Sequence, residues 1–283
     1  MKLKQLLQPP KSAAGAVGMV LLGATTVQWS AALVAPIFKV VSPAATSAWR
    51  FFIGAVVLLV LSRPKVFTWS RRQWLGALAL GAATAFMNLC FFQAISRINL
   101  GTAVAIEYLG PFLVAALGKR TLKHFFFVVV AAIGVLALAR PGGDLSLVGI
   151  LFAAGSGVGW AAYAFASHFV GDENEGFGGL AMSMVVSTII TFPFLPSSVM
   201  PMIDHGMLPR MAIASVAAVV IGFGAEMQAL RRVPPSILSV LLALDPAVAF
   251  IVGFLVLGQP IVGWDLVGLA LVITAGVAVA RDA

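Results

Sequence analysis

The chain is a succession of apolar runs about 20 residues long, and its charges fall almost entirely in the gaps between them. A bilayer core about 30 Å thick needs about 20 apolar residues per helix. Within it, backbone N–H and C=O groups must be paired inside the segment, so unbroken apolar runs of this length fold there as helices. A soluble fold fails on charge. Only 10% of the 283 residues are charged, against about 25% in a soluble domain.

Ten runs can be placed: Ser12–Ala35, Ser42–Leu61, Gln73–Ile95, Asn99–Gly118, His124–Ala139, Leu147–Val170, Phe177–Val199, Pro209–Leu230, Pro235–Leu257 and Val262–Ala280. The connectors, such as "GKRTLKH", "RPGGD" and "GDENEG", are short and rich in turn residues. Trp69, Trp74 and Trp264 fall near span ends, where interfacial aromatics belong. The first run is too long for a signal h-region and is expected to stay as a helix.

The net charge of +8 does not point to nucleic acid, because the basic residues sit where membrane topology puts them. With the N-terminus inside, inner segments hold thirteen Lys and Arg residues and outer segments four. That bias predicts cytoplasmic termini. The single cysteine, Cys90, excludes an intramolecular disulfide.

The chain repeats itself. "QAISRI" (Gln93–Ile98) meets "QALRRV" (Gln228–Val233) at an offset of 135, which also pairs Pro111 with Pro246 and Gly118 with Gly253. Each half then holds five spans, and an odd number turns the second half upside down. The expected fold is an all-α integral membrane protein of ten transmembrane helices, in two inverted five-helix repeats over residues 1–140 and 141–283. Secondary transporters recur on this plan, with a site near the midplane between the halves.

Charged residues within the bilayer are costly and mark functional candidates. Four stand out: Arg50, Glu107, Glu226 and Asp245. Arg50 and Glu107 each lie about eight residues into a span running inward, so they share a depth. Either they form a structural ion pair, or Arg50 holds a substrate carboxylate or tunes Glu107. Ala103, Gly110 and Pro111 lie on the side of Glu107 and leave room for a close helix or a cavity. Pro111 cannot donate to the Glu107 carbonyl four residues back, which frees a polar backbone group there. Asp245 precedes Pro246 at nearly the same place in the other half. Glu226 lies one turn before Arg231 and Arg232, near an interface. Gln28, Asn88 and Gln93 are weaker candidates that could simply bond between helices. Trp29 and Trp160 hold similar places in the first span of each half and could line a cavity. "GSGVG" (Gly155–Gly159) reads as close helix packing, not as a phosphate loop, because no lysine follows it.

No Walker motif, HExxH or Cys/His cluster is present, and three scattered histidines offer no catalytic set. The chain is therefore not expected to be an enzyme or to need a cofactor or metal.

"TSAWRFFIGAVVLL", "LGTAVAIEYLGPFLVAAL", "EMQALRRVPPSILSVLLALDPAVA" and "FLVLGQ" resemble the EamA-type carriers of the drug/metabolite transporter superfamily. Within that group the chain looks most like the threonine/homoserine exporters, over nearly its full length. The resemblance implies a carrier of the bacterial inner membrane that exports small amino acids by exchange with protons. Arg50, Glu107, Glu226 and Asp245 match charged positions of its motifs. The chain departs in the shorter acid at Asp245, and in Gln259 where an acid often ends the ninth span. The expected mechanism is alternating access, with a zwitterionic amino acid, protons and the lipid bilayer as partners. Glu107 and Asp245 would exchange protons or bind the substrate amine. Export of cationic drugs, or a scaffold or sensor role without transport, are the alternatives.

Overall fold

The computed structural model describes residues 13–118, 122–139, 146–171, 177–225 and 242–282. Glu226, Arg231, Arg232 and "QALRRV" lie outside them. The described chain is helical: α1 (Ala13–Val34), α2 (Pro43–Ser62), α3 (Arg71–Ile95), α4 (Leu100–Gly118), α5 (Leu122–Ala139), α6 (Leu147–Gly171), α7 (Gly178–Thr191), α8 (Val199–Asp204), α9 (Leu208–Ser215), α10 (Asp245–Leu257) and α11 (Gly263–Asp282). A π-helical stretch, Val216–Gly222, continues α9.

Among the described residues five helices are long and apolar enough to cross a membrane, or six if one bent pair counts as a span. Four shorter apolar helices accompany them, at Leu100–Gly110, Phe125–Leu138, Asp245–Leu257 and Gly263–Ala278. The interior is largely apolar but holds buried polar groups, and large apolar side chains also cover the outside. Phe125, Phe165, Leu151 and Leu255 are exposed, whereas Arg50, Ser30, Thr84, Ser156 and Ser187 are buried. Apolar side chains face outward because the surrounding solvent is lipid.

Local signals set the helix starts. Ser42 Oγ accepts from the Ala45 N–H at 3.1 Å, with Pro43 at the first helical position. Ser70 and Gln73 form a reciprocal capping box at the head of α3. The seventh run departs from the expected straight span. Pro193 and Pro196 cannot continue a helical ladder, and the axis of Gly178–Phe194 bends by 69° into Pro196–Asp204. This returning segment packs inward: Met202, Ser198 and Leu195 are buried, and the Trp49 indole N–H donates to Ser198 Oγ at 3.0 Å.

Helix packing is dense and built on glycine. The broadest contacts are α3 with α6, α5 with α11, α4 with α6, and α7 with both α2 and α3. On the other side α1 packs on the π-helical stretch, α9 and α10, and α4 packs on α10. "GSGVG" makes the close crossing that its spacing implies. A Cβ on Gly157 would lie 2.7 Å from the Glu107 carbonyl oxygen, and one on Gly159 would lie 2.7 Å from Met87 Cα. These small residues let α6 wedge between α3 and α4.

Candidate functional site

Glu107 sits on the buried face of α4, against the glycine face of α6. Its carbonyl oxygen lies against Gly157. Its carboxyl Oε1 meets the hydroxyl of Ser156, from the same glycine stretch. Ser156 Oγ also lies 3.0 Å from the carbonyl oxygen of Met87 on α3.

Arg50 does not pair with Glu107. It is buried on α2 and donates to Asn88 Oδ1 at 3.2 Å and to Ser30 Oγ at 2.9 Å. Ser30 in turn donates to the Ala214 carbonyl on α9 at 2.7 Å. The guanidinium covers the Phe92 ring, 4.4 Å from its centroid, a favourable cation–π placement. Among the described residues no carboxylate reaches Arg50, and its Nε has no hydrogen-bond partner. One cation therefore ties α1, α2, α3 and α9 together.

Asp245 stands in the first turn of α10, just after the backbone turns at Ala243 and Leu244. A carboxylate there meets the positive end of the helix dipole. Pro246 follows at a position where no N–H is needed. Asp245 Oδ1 is buried without a hydrogen-bond partner among the described residues, and so is Gln28 Oε1 on α1.

These groups share a cavity of about 60 Å³. Glu107, Asp245 and Gln28 line it together with Trp160, Tyr163 and Phe223. It has room for a few waters and is well below the roughly 300 Å³ at which ligand pockets begin. A substrate the size of an amino acid would enter only after the helices part.

The other candidates lie elsewhere. Asn88 is buried but serves Arg50. Gln93 accepts from Arg97 at 2.6 Å, at the end of α3. Trp29 is 41% exposed and lines a groove against Ile213 and Val216 on the outer face, away from the cavity that Trp160 lines. Gln259 plays a structural part. Its Oε1 accepts from the Leu100 N–H at 3.0 Å and caps α4 from 159 residues away. Gly258, in the left-handed region at φ +65°, turns the chain to make this possible. Ser156, Tyr163 and Phe223 are site residues with no distinctive mark in the sequence. Only the glycine spacing around Ser156 hints at its placement.

The model of the EamA-like transporter family matches residues 14–140 and again 147–281. The chain belongs to the EamA-like transporter family. Among curated members it is similar to the threonine/homoserine exporter RhtA of Salmonella typhimurium, 29% identical over 91% of this chain and 88% of that protein. RhtA of Escherichia coli is 28% identical over the same shares. The uncharacterized transporter YyaM of Bacillus subtilis is 27% identical over 82% of each chain. A crystal structure at 19% identity superposes with a TM-score of 0.59 over 92% of this chain and 96% of its own, which shows a shared fold. The EamA chain is thus a multi-pass membrane transporter, not an enzyme.

Proposed function

We propose that this EamA-family chain exports small amino acids of the threonine or homoserine kind across the bacterial inner membrane, in exchange for protons. The observation that carries the reading is the cavity between α1, α3, α4, α6 and α10. It offers two acids, Glu107 and Asp245, and a buried acceptor on Gln28 that has no partner among the described residues. Unmet acceptors beside aromatic faces suit a substrate ammonium group. The similarity to exporters named for threonine and homoserine supports the substrate class.

The architecture in this reading is ten spans in two inverted halves, with both termini in the cytoplasm. The two matches of one family model support the division. The packing supports a two-fold relation between the halves, and an odd number of spans in each would invert the second. Exchanging each helix for the one five spans away turns α3 on α6 into the α9 region on α1, and α4 on α6 into α10 on α1. Alternating access would rock the halves about the cavity. Arg50 would act by positioning α3, which it holds through Asn88.

A second reading, export of organic cations, is favoured by one fact: the described cavity lining includes two acids and no base. Proteoliposomes loaded with labelled threonine or homoserine, under an imposed pH gradient, separate the two. Flux that follows the gradient supports amino-acid exchange. No amino-acid flux from folded protein, with flux of a labelled organic cation, transfers the function to the second reading.

A further inference from the structure

Ser156 has one hydroxyl proton and two oxygen neighbours. If Glu107 is ionised it can only accept, and so can the Met87 carbonyl. One of the two contacts would then hold no proton. With Glu107 protonated, both bonds form in series. The carboxyl O–H donates to Ser156 Oγ, and the Ser156 hydroxyl donates to the Met87 carbonyl. A proton on Glu107 would therefore let both contacts be hydrogen bonds at once.

We propose that Ser156 is a positioning residue that reports the protonation state of Glu107 to α3. This rests on the transport reading above only for its physiological use. When the Glu107 carboxyl gives its proton to water in the cavity, Ser156 must turn its hydroxyl toward the carboxylate. The Met87 carbonyl then loses its partner on α6. Met87 lies on the broadest helix contact among the described residues, with Gly159 against its backbone. The next residue, Asn88, holds Arg50, and through Ser30 that cluster reaches α9. A proton leaving Glu107 therefore changes a bond between α6 and α3, one residue from the cluster that ties α1, α2, α3 and α9 together. Among the described residues no such link joins Glu107 to Arg50 directly.

The titratable groups around Glu107 are few. Asp245 faces it across the cavity from α10 and Tyr163 from α6. The Cys90 thiol approaches from α3, and Tyr108 is its neighbour on α4. Arg50, from α2, lies beyond Asn88. Helices α5 and α11 contribute no described acid or base to the cavity lining.

The test is infrared difference spectroscopy of the full chain in lipid during a pH titration, which needs no transport. Glu107→Gln identifies the Glu107 carboxylic acid band, and Asp245→Asn removes the competing one. Ser156→Ala, which only deletes an atom at a tight crossing, is expected to shift the Glu107 band to higher frequency, as a lost hydrogen bond does. Its pH midpoint is expected to move as well, while Ser156→Thr retains the wild-type band. Two results would overturn the proposal: no protonated band that Glu107→Gln removes, or a band unmoved in frequency and midpoint by Ser156→Ala. Failure of amino-acid flux in proteoliposomes would instead sink the substrate reading and leave this spectrum unaffected.

Discussion

Arg50 and Glu107 are held by consecutive residues of one helix: Asn88 accepts from the Arg50 guanidinium, and the Met87 carbonyl faces the serine that meets Glu107. The two side chains are therefore linked through α3 without touching. This arrangement separates the roles that equal depth in the membrane suggests for them.

Replacing Arg50 tests that separation. Arg50→Lys keeps the charge but loses the planar fork that spans Asn88 and Ser30. Each hydrogen bond to a charged group is worth about 1.5–3 kcal/mol, so the variant is expected to unfold several degrees earlier. Threonine-induced thermal stabilisation of the folded fraction should stay within about twofold of wild type. A loss of substrate affinity at unchanged stability would put Arg50 back on the substrate.

Gly157 carries a packing prediction. A side chain there would press on the backbone of α4 at the Glu107 carbonyl. Backbone cannot yield as a flexible side chain can, and overpacking costs about 1–3 kcal/mol. Gly157→Ala is expected to lower the thermal midpoint measured in detergent. Gly18→Ala, with nothing within 4 Å of the added carbon, should leave that midpoint unchanged.

The Gln259 cap can be removed alone. Gln259→Ala leaves the Leu100 N–H without its acceptor, and losing a helix cap costs about 0.5–2 kcal/mol. Gln259→Glu retains an acceptor, and negative charge suits a helix N-terminus. Hydrogen exchange at the head of α4 is expected to quicken in the Ala variant and not in the Glu variant.

The bundle itself is legible in the sequence because bilayer helices leave a coarse signal. Length, hydropathy and charge placement locate the runs, and the glycine spacing of "GSGVG" announces a close crossing. Finer features depend on which face of a helix meets which neighbour. Arg50 reads as a partner for Glu107 because depth can be counted along a helix, whereas rotation about its axis cannot. Ser156 carries no signal of its own because serines are common in apolar spans, and only the wedge of α6 between α3 and α4 brings this one to a carboxyl. Trp29 and Trp160 match by position in the repeat, yet one lines the outer groove and the other the cavity. The break before Asp245 is also hidden, since Pro246 is compatible with both a kinked helix and a new start.

Asp245 is the residue on which the proposed substrate recognition would turn. Its Oδ1 and Gln28 Oε1 face one cavity with no partner among the described residues, and a buried acceptor without a donor is destabilising by about 1–3 kcal/mol. An ammonium group would satisfy both at once. Asp245→Asn keeps the shape but removes the charge, and a charge-assisted bond is about twice as strong as a neutral one. The variant is expected to bind threonine about tenfold or more weakly by thermal shift or calorimetry, with little change in the stability of the empty protein. N-acetylated threonine, which lacks the cation, should bind wild type and variant equally poorly. If the acetylated compound competes as well as threonine does, the cavity reads another part of the molecule, and the ammonium assignment fails.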